Sequence, residues 1–182
     1  MKKLRKRVLS LLLSVGLLSS TVILPGQSAA AAEDKENLAL GKTVTVSAGG
    51  DEELAQKITD GAIARGWENS YLFRTAAEAE DENEKAYITI DLGESQEISQ
   101  IKYIGAVPAD DGYTNTSHHM VFRVSNDPEF LDESTQTVYN TDSANFFGFG
   151  AGEDTEKENS LEGILIDFEP VTARYVRYYH DM

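Results

Sequence analysis

Ala86-Tyr-Ile-Thr-Ile-Asp-Leu-Gly93 alternates strictly, with Ile88, Ile90 and Leu92 on one side and Tyr87 and Thr89 on the other. That period of two is the mark of a half-buried strand. Upstream, Thr43-Val-Thr-Val-Ser47 alternates in the same way. Downstream, Ile98, Ile101 and Ile104 recur every three residues. A helix shares that spacing, but the β-branched content predicts a bulged strand. Met120, Phe122 and Val124 make one face of another strand, and Gln136 to Tyr139, Gly163 to Phe168 and Arg174 to Tyr179 read as three more. Asp51 is placed to cap a short helix from Glu52 to Ile58, with Leu54 and Ile58 on one face. Short strands separated by Gly, Asp and Asn turns predict an all-β antiparallel sandwich.

The ends of the chain separate a leader from this domain. Lys2, Lys3, Arg5, Lys6 and Arg7 precede an apolar stretch from Val8 to Leu24, and Ser28-Ala29-Ala30 or Ala30-Ala31-Ala32 offers a small-x-small cleavage site. This pattern predicts a signal peptide over 1–32, of the kind seen in Gram-positive bacteria, and a secreted domain over 33–182. A membrane anchor is the alternative, and the small residues and Pro25-Gly26 favour cleavage. The 182-residue chain carries a formal charge of −15, and leaving out the five basic residues of the leader makes the remainder −20. Such a charge repels nucleic acid and anionic membranes. There are no cysteines, so an exported domain must rely on its core, or on a metal, in place of disulfides.

Five strings occur in a fixed order: Asn37-Leu-Ala-Leu-Gly-Lys42, Ile58-Thr-Asp-Gly61 with Trp67, Ile88-Thr-Ile-Asp-Leu-Gly93, Val121-Phe-Arg-Val-Ser125 and Ala173-Arg-Tyr-Val-Arg177. In that order they resemble the discoidin domain, also called the coagulation factor 5/8 type C domain, whose bacterial members include carbohydrate-binding module family 32. The resemblance spans Asn37 to His180. It implies a discoidin-like jelly-roll sandwich that binds a glycan through its loops and catalyses nothing, as a monomer that works within a larger glycan-active enzyme or adhesin. The family's last strand has no counterpart before Met182. The chain therefore reads as truncated, with an exposed strand edge near Tyr175, Val176 and Tyr178. An adhesin-type module that binds a protein or a lipid, and a small hydrolase, are the other function classes.

The resemblance also implies site residues. A structural calcium would be held by Asp60 and by the carbonyls of Lys57, Ala62 and Arg65, since calcium takes hard oxygens from irregular loops. Arg65 stands where the family often has a Thr, and a late Glu ligand has no counterpart. The alternative for Asp60 is an Asx-turn. Family members that bind galactose often use a His with an Arg and an Asn, roles open here to His118 or His119, Arg74 and Asn115. Adjacent strand residues point to opposite faces, so the two His should not act together. An Arg fork can grip two hydroxyls, or Arg74 can pair with the acidic run Glu78, Glu80, Asp81, Glu82 and Glu84. Phe147, in the glycine-rich loop Phe146 to Gly152, is the candidate aromatic for sugar contact. Trp67 is either a sugar platform or core, and its position in the family favours core.

Signals for catalysis are few. The chain has no Gly-x-Ser-x-Gly elbow, and Gly148-x-Gly-x-Gly152 lacks the Gly-Lys-Ser/Thr of a phosphate loop. Paired carboxylates carry no information in so acidic a sequence.

Overall fold

The computed structural model describes residues 36–47, 50–70, 85–110 and 114–180. The leader, Arg74 and the acidic run from Glu78 to Glu84 lie outside them. The described elements are β1 (Thr43–Val46), α1 (Glu52–Ala55), β2 (Tyr87–Tyr103), β3 (Thr116–Ser117), β4 (Met120–Ser125), β5 (Gln136–Asn140), β6 (Lys157–Glu158) and β7 (Ile164–His180). A five-stranded antiparallel sheet runs β1-β2-β7-β4-β5, and β3 pairs with β6.

Register turns the alternation of each strand into cross-strand rows. Val46 pairs with Ile88, Ile88 with Tyr178 and Tyr178 with Phe122. The next row is Val44, Ile90, Val176 and Val124. These apolar rows face one core, where each fully buried side chain contributes roughly 1.5–3 kcal/mol.

The strands expected at 86–92 and 98–104 are one strand of 17 residues, as are those expected at 163–168 and 174–179. Two irregularities bend this long pair. Between Asp91 and Gln96 the extra residues lie on β2, where Gly93 takes φ 90°. Between Ile98 and Gln100 the extra residues lie on β7 and include Pro170, which has no N–H to lose there. The bulge expected in the Ile98 to Ile104 strand thus has its extra residues on the partner strand β7 instead. Bulges bend strands, and beyond them Ile98, Ile101, Tyr103, Ile164 and Ile166 join the same core. Tyr103 packs 6.0 Å from the Phe122 ring and 5.2 Å from Tyr178. The bent halves thus supply the second layer of the sandwich.

β7 is hydrogen-bonded to β2 on one side and to β4 on the other. The exposed edge expected beside Tyr175, Val176 and Tyr178 is therefore not there: Val176 and Tyr178 are core. The outer face is covered by loops instead. Phe147 is 2% exposed and packs on Val121 and Tyr179. On this face Arg123 and Arg177 are direct cross-strand partners, a like-charge pairing that ordinarily destabilises. Each guanidinium is stacked on aromatic rings: Arg123 lies 4.1 Å over Phe149, and Arg177 sits between Tyr87 at 4.1 Å and Phe130 at 4.0 Å.

Asp51 caps α1 by accepting from Leu54 N at 3.0 Å. The helix then tightens to a 3₁₀ turn over Gln56–Ile58. Ala55 is buried, whereas Leu54 and Ile58 are exposed, so the apolar face expected for a continuous helix does not form.

Candidate functional site

A hydrogen-bonded chain leads out of the core. Tyr178 Oη donates to Tyr103 Oη at 3.3 Å, and Tyr103 Oη lies 3.1 Å from Ser117 Oγ. Ser117 Oγ in turn donates to Asn159 Oδ1 at 2.7 Å. A hydroxyl has one proton to give, so Tyr103 is the donor to Ser117. Asn159 Nδ2 then donates to the Ala106 carbonyl at 3.2 Å. Burial pushes the Tyr178 phenol well above its ordinary range, with Tyr103 adding to the effect, so the Tyr178 hydroxyl keeps its proton at neutral pH. Gly105 makes the arrangement possible, because a Cβ there would collide with the Asn159 carboxamide.

This network ends at the wall of a cleft of about 340 Å³. Val107, Pro108, Thr114 and the turn from Glu158 to Glu162 line it. Arg65 also lines the cleft and donates from Nη1 to the Pro108 carbonyl at 3.3 Å. Gly66, at φ 101°, turns the chain so that its N–H donates to the Val107 carbonyl at 2.9 Å. A side chain would strain that conformation. The result is a recess with a few fixed polar groups beside apolar Val107, Pro108 and Leu161.

Only part of the expected site residues meet here. Asn115 is next to Thr114, but its Nδ2 donates to the Ala106 carbonyl at 3.3 Å and its own carbonyl accepts from Asn159 N at 2.8 Å. It builds the wall of the cleft. His118 and His119 do not line the cleft. They are half-buried, and their rings meet edge-on at 4.6 Å. The expectation that they face opposite ways fails because His119 has φ 51°, which breaks the alternation of a strand. His119 Nε2 lies 4.0 Å from Asp154 Oδ1. Phe147 is a correction: it is core, because Asp142 Oδ2 accepts from its N–H at 2.9 Å and turns it beneath Tyr179. The neighbouring Phe146 is the exposed ring. Trp67 is also corrected, being 42% exposed on a 3₁₀ turn that follows Gly66. Arg74 lies outside the described residues.

Asp60 accepts from Ala62 N through Oδ1 at 2.7 Å, the Asx-turn alternative. Its Oδ2 has no hydrogen bond to another described residue. The Arg65 carbonyl accepts from Asn69 Nδ2 at 2.6 Å, and Lys57 Nζ donates to the Glu68 carbonyl. An exposed carboxylate oxygen beside loop carbonyls is a donor set of the type that calcium takes. The Lys57 ammonium, held in the same loop, opposes a cation there.

The F5/8 type C domain family matches residues 42–181. No curated protein matches the chain. Among solved structures, chitosan-binding module 2 of a chitosanase/glucanase from Paenibacillus sp. IK-5, in complex with chitotriose, is 25% identical, with 80% of this chain and 88% of that one covered and a TM-score of 0.43. CpGH89CBM32-4 from Clostridium perfringens is 18% identical, with 81% and 84% covered and a TM-score of 0.46. The CBM32 of AlyQ in complex with 4,5-unsaturated mannuronic acid is 23% identical, with 76% and 80% covered and a TM-score of 0.43.

Proposed function

This chain belongs to the F5/8 type C domain family, and we propose that it is a non-catalytic carbohydrate-binding module that seats a short oligosaccharide in the cleft lined by Val107, Pro108 and the Glu158 to Glu162 turn. The observation that carries this reading is the cleft itself, whose polar wall is fixed from the core outward through Tyr103, Ser117 and Asn159. Its volume of about 340 Å³ is at the small end of the range for ligand sites. Preorganised polar groups cost little ordering entropy on binding, and each hydrogen bond to a sugar hydroxyl adds about 0.5–1.5 kcal/mol. A few such bonds sum to roughly 1.5–4.5 kcal/mol, which makes binding weak, with a dissociation constant of about a millimolar or higher. The leader sends the module out of the cell, where it holds a larger glycan-active protein against its polysaccharide. Calcium, bound by Asp60 Oδ2 with the carbonyls of Lys57, Ala62 and Arg65, would stiffen the loop that carries Arg65 to the cleft.

A glycan array followed by isothermal titration, with a parallel hydrolysis assay, tests this reading. Saturable heat with an oligosaccharide and no release of reducing ends is expected. No heat with any saccharide, or turnover of one, would overturn it.

A further inference from the structure

We infer that the outer face of the five-stranded sheet holds a second site, apart from the cleft, at which Arg123 and Lys85 bind a phosphate group. Arg123 lies half-buried on β4, its guanidinium 4.1 Å over the Phe149 ring. It makes no hydrogen bond or ion pair with a described residue, and its Nε is wholly buried without an acceptor. Lys85 is half-buried just ahead of β2 and is likewise without a described partner. Its ammonium lies beside Gly148, 3.5 Å from where a Cβ on that glycine would sit. Gly148 and Phe149 are consecutive, so both cations meet the same short stretch of loop. Arg177, directly across from Arg123, adds a third positive charge, although its Nε and Nη2 are engaged with Thr89 and the Pro128 carbonyl.

These cations gather in a chain whose residues 33–182 are formally −20. Carboxylates are plentiful, yet no described one pairs with Arg123 or Lys85. A guanidinium drawn half out of water with no acceptor is costly to keep, and like charges directly across strands add to the cost. An oxyanion relieves both. Phosphate fits best, because it carries about −1.5 to −2 charges at neutral pH and several strong acceptor oxygens. The guanidinium fork takes two of those oxygens, and the ammonium takes another as a point charge. Stacking on Phe149 already holds the fork, so little ordering remains on binding. A carboxylate brings one charge and two oxygens, and a neutral sugar brings no charge. The negative field of the whole chain opposes anions at long range, so only a ligand that takes several donors at close range should be held.

The probes are inorganic phosphate, glucose 6-phosphate, glucose and acetate. Each is titrated into the whole chain at neutral pH and constant ionic strength, and backbone amide shifts and the melting temperature are recorded. Both phosphates should raise the melting temperature and give saturable shifts at Arg123, Gly148 and Phe149, with Val107 and Asn159 of the cleft unmoved. Glucose and acetate should leave Arg123, Gly148 and Phe149 where they are. Tighter binding of glucose 6-phosphate than of inorganic phosphate would make a phosphorylated sugar the source, and equal binding would make the phosphate group alone the ligand. Arg123→Gln should weaken the response roughly tenfold, as expected for loss of a charge-assisted bidentate contact. Lys85→Gln, at the rim of the loop, should weaken it while leaving the fold intact, and keeps the test decisive where Arg123→Gln fails to fold. Lys102→Gln, at an exposed position on the other half of β2, should change nothing. No saturable shift at Gly148 and Phe149 with either phosphate would overturn the inference. Acetate binding as tight as phosphate, or undiminished affinity in Lys85→Gln and in folded Arg123→Gln, would overturn it as well.

Discussion

Ser117 Oγ donates to Asn159 Oδ1 at 2.7 Å, and through this bond the sandwich core holds the wall of the cleft. Ser117 is 2% exposed and Asn159 7%, so neither can exchange its partner for water without opening the loop.

Ser117→Ala should therefore cost both stability and binding. It strands the Tyr103 hydroxyl and the Asn159 carbonyl oxygen, and each unsatisfied buried group costs about 1–3 kcal/mol. Denaturant unfolding should show a loss of that size, and calorimetry a weaker sugar affinity although Ser117 does not line the cleft. Ser117→Thr keeps the hydroxyl and should recover part of both.

A second pair fixes the bend that makes two layers from one pair of strands. Arg174 Nε and Nη2 donate to the two oxygens of Asp91 at 2.7 and 2.8 Å, beside the irregularity that holds Gly93. Chiefly through that hydrogen bond, Arg174 lowers the Asp91 carboxyl below its ordinary range, with the Gly93 N–H and Lys42 adding to the effect. A lowered folded-state pKa means stability that is fully present above the unfolded value of about 3.9 and is lost as pH falls through the folded value. Wild type should melt higher than Asp91→Asn at pH 7, with the gap closing below about pH 4. A gap independent of pH would assign the effect to packing.

Phe146 and Phe147 should separate cleanly. Phe147→Ala empties a buried site against Tyr179 and should cost about 3–5 kcal/mol, read as a shift of the denaturation midpoint. Phe146→Ala, at an exposed ring, should change stability by no more than about 0.5 kcal/mol.

The contrast shows what the chain discloses on its own. Alternation at 43–47 and 86–92 exposed the sandwich, because one face turned to the core imposes a period of two. The Ile98, Ile101 and Ile104 spacing pointed to an irregularity, whose extra residues lie on the partner strand β7. The continuity of β2 was hidden, since its register depends on β7 some 80 residues away. In the loops no period exists. Asp142 decides that Phe147 turns inward and Phe146 outward, the positive φ of His119 brings two His rings together, and Gly66 leaves Trp67 in solvent. The cleft was missed for the same reason: Arg65, Val107 and Asn159 come from separate connections with no shared motif.

Calcium should raise the melting temperature if Asp60 holds it. A ligand bound to the folded state alone adds about 2.7 kcal/mol at a hundredfold excess over its dissociation constant. Asp60→Ala should abolish the response. Identical melts in calcium and in chelator would leave Asp60 as the turn residue that its bond to Ala62 N already makes it.

The central claim is that the cleft, and not the aromatic loop, receives the sugar. Backbone amide chemical shifts recorded during titration with a glucosamine trimer test it most directly. The account predicts saturable shifts at Gly66, Val107, Asn159, Ser160 and Leu161, with Phe146 to Gly150 unmoved. Shifts confined to Phe146 to Gly150 or to His118 and His119, or no shift at any amide, would contradict it.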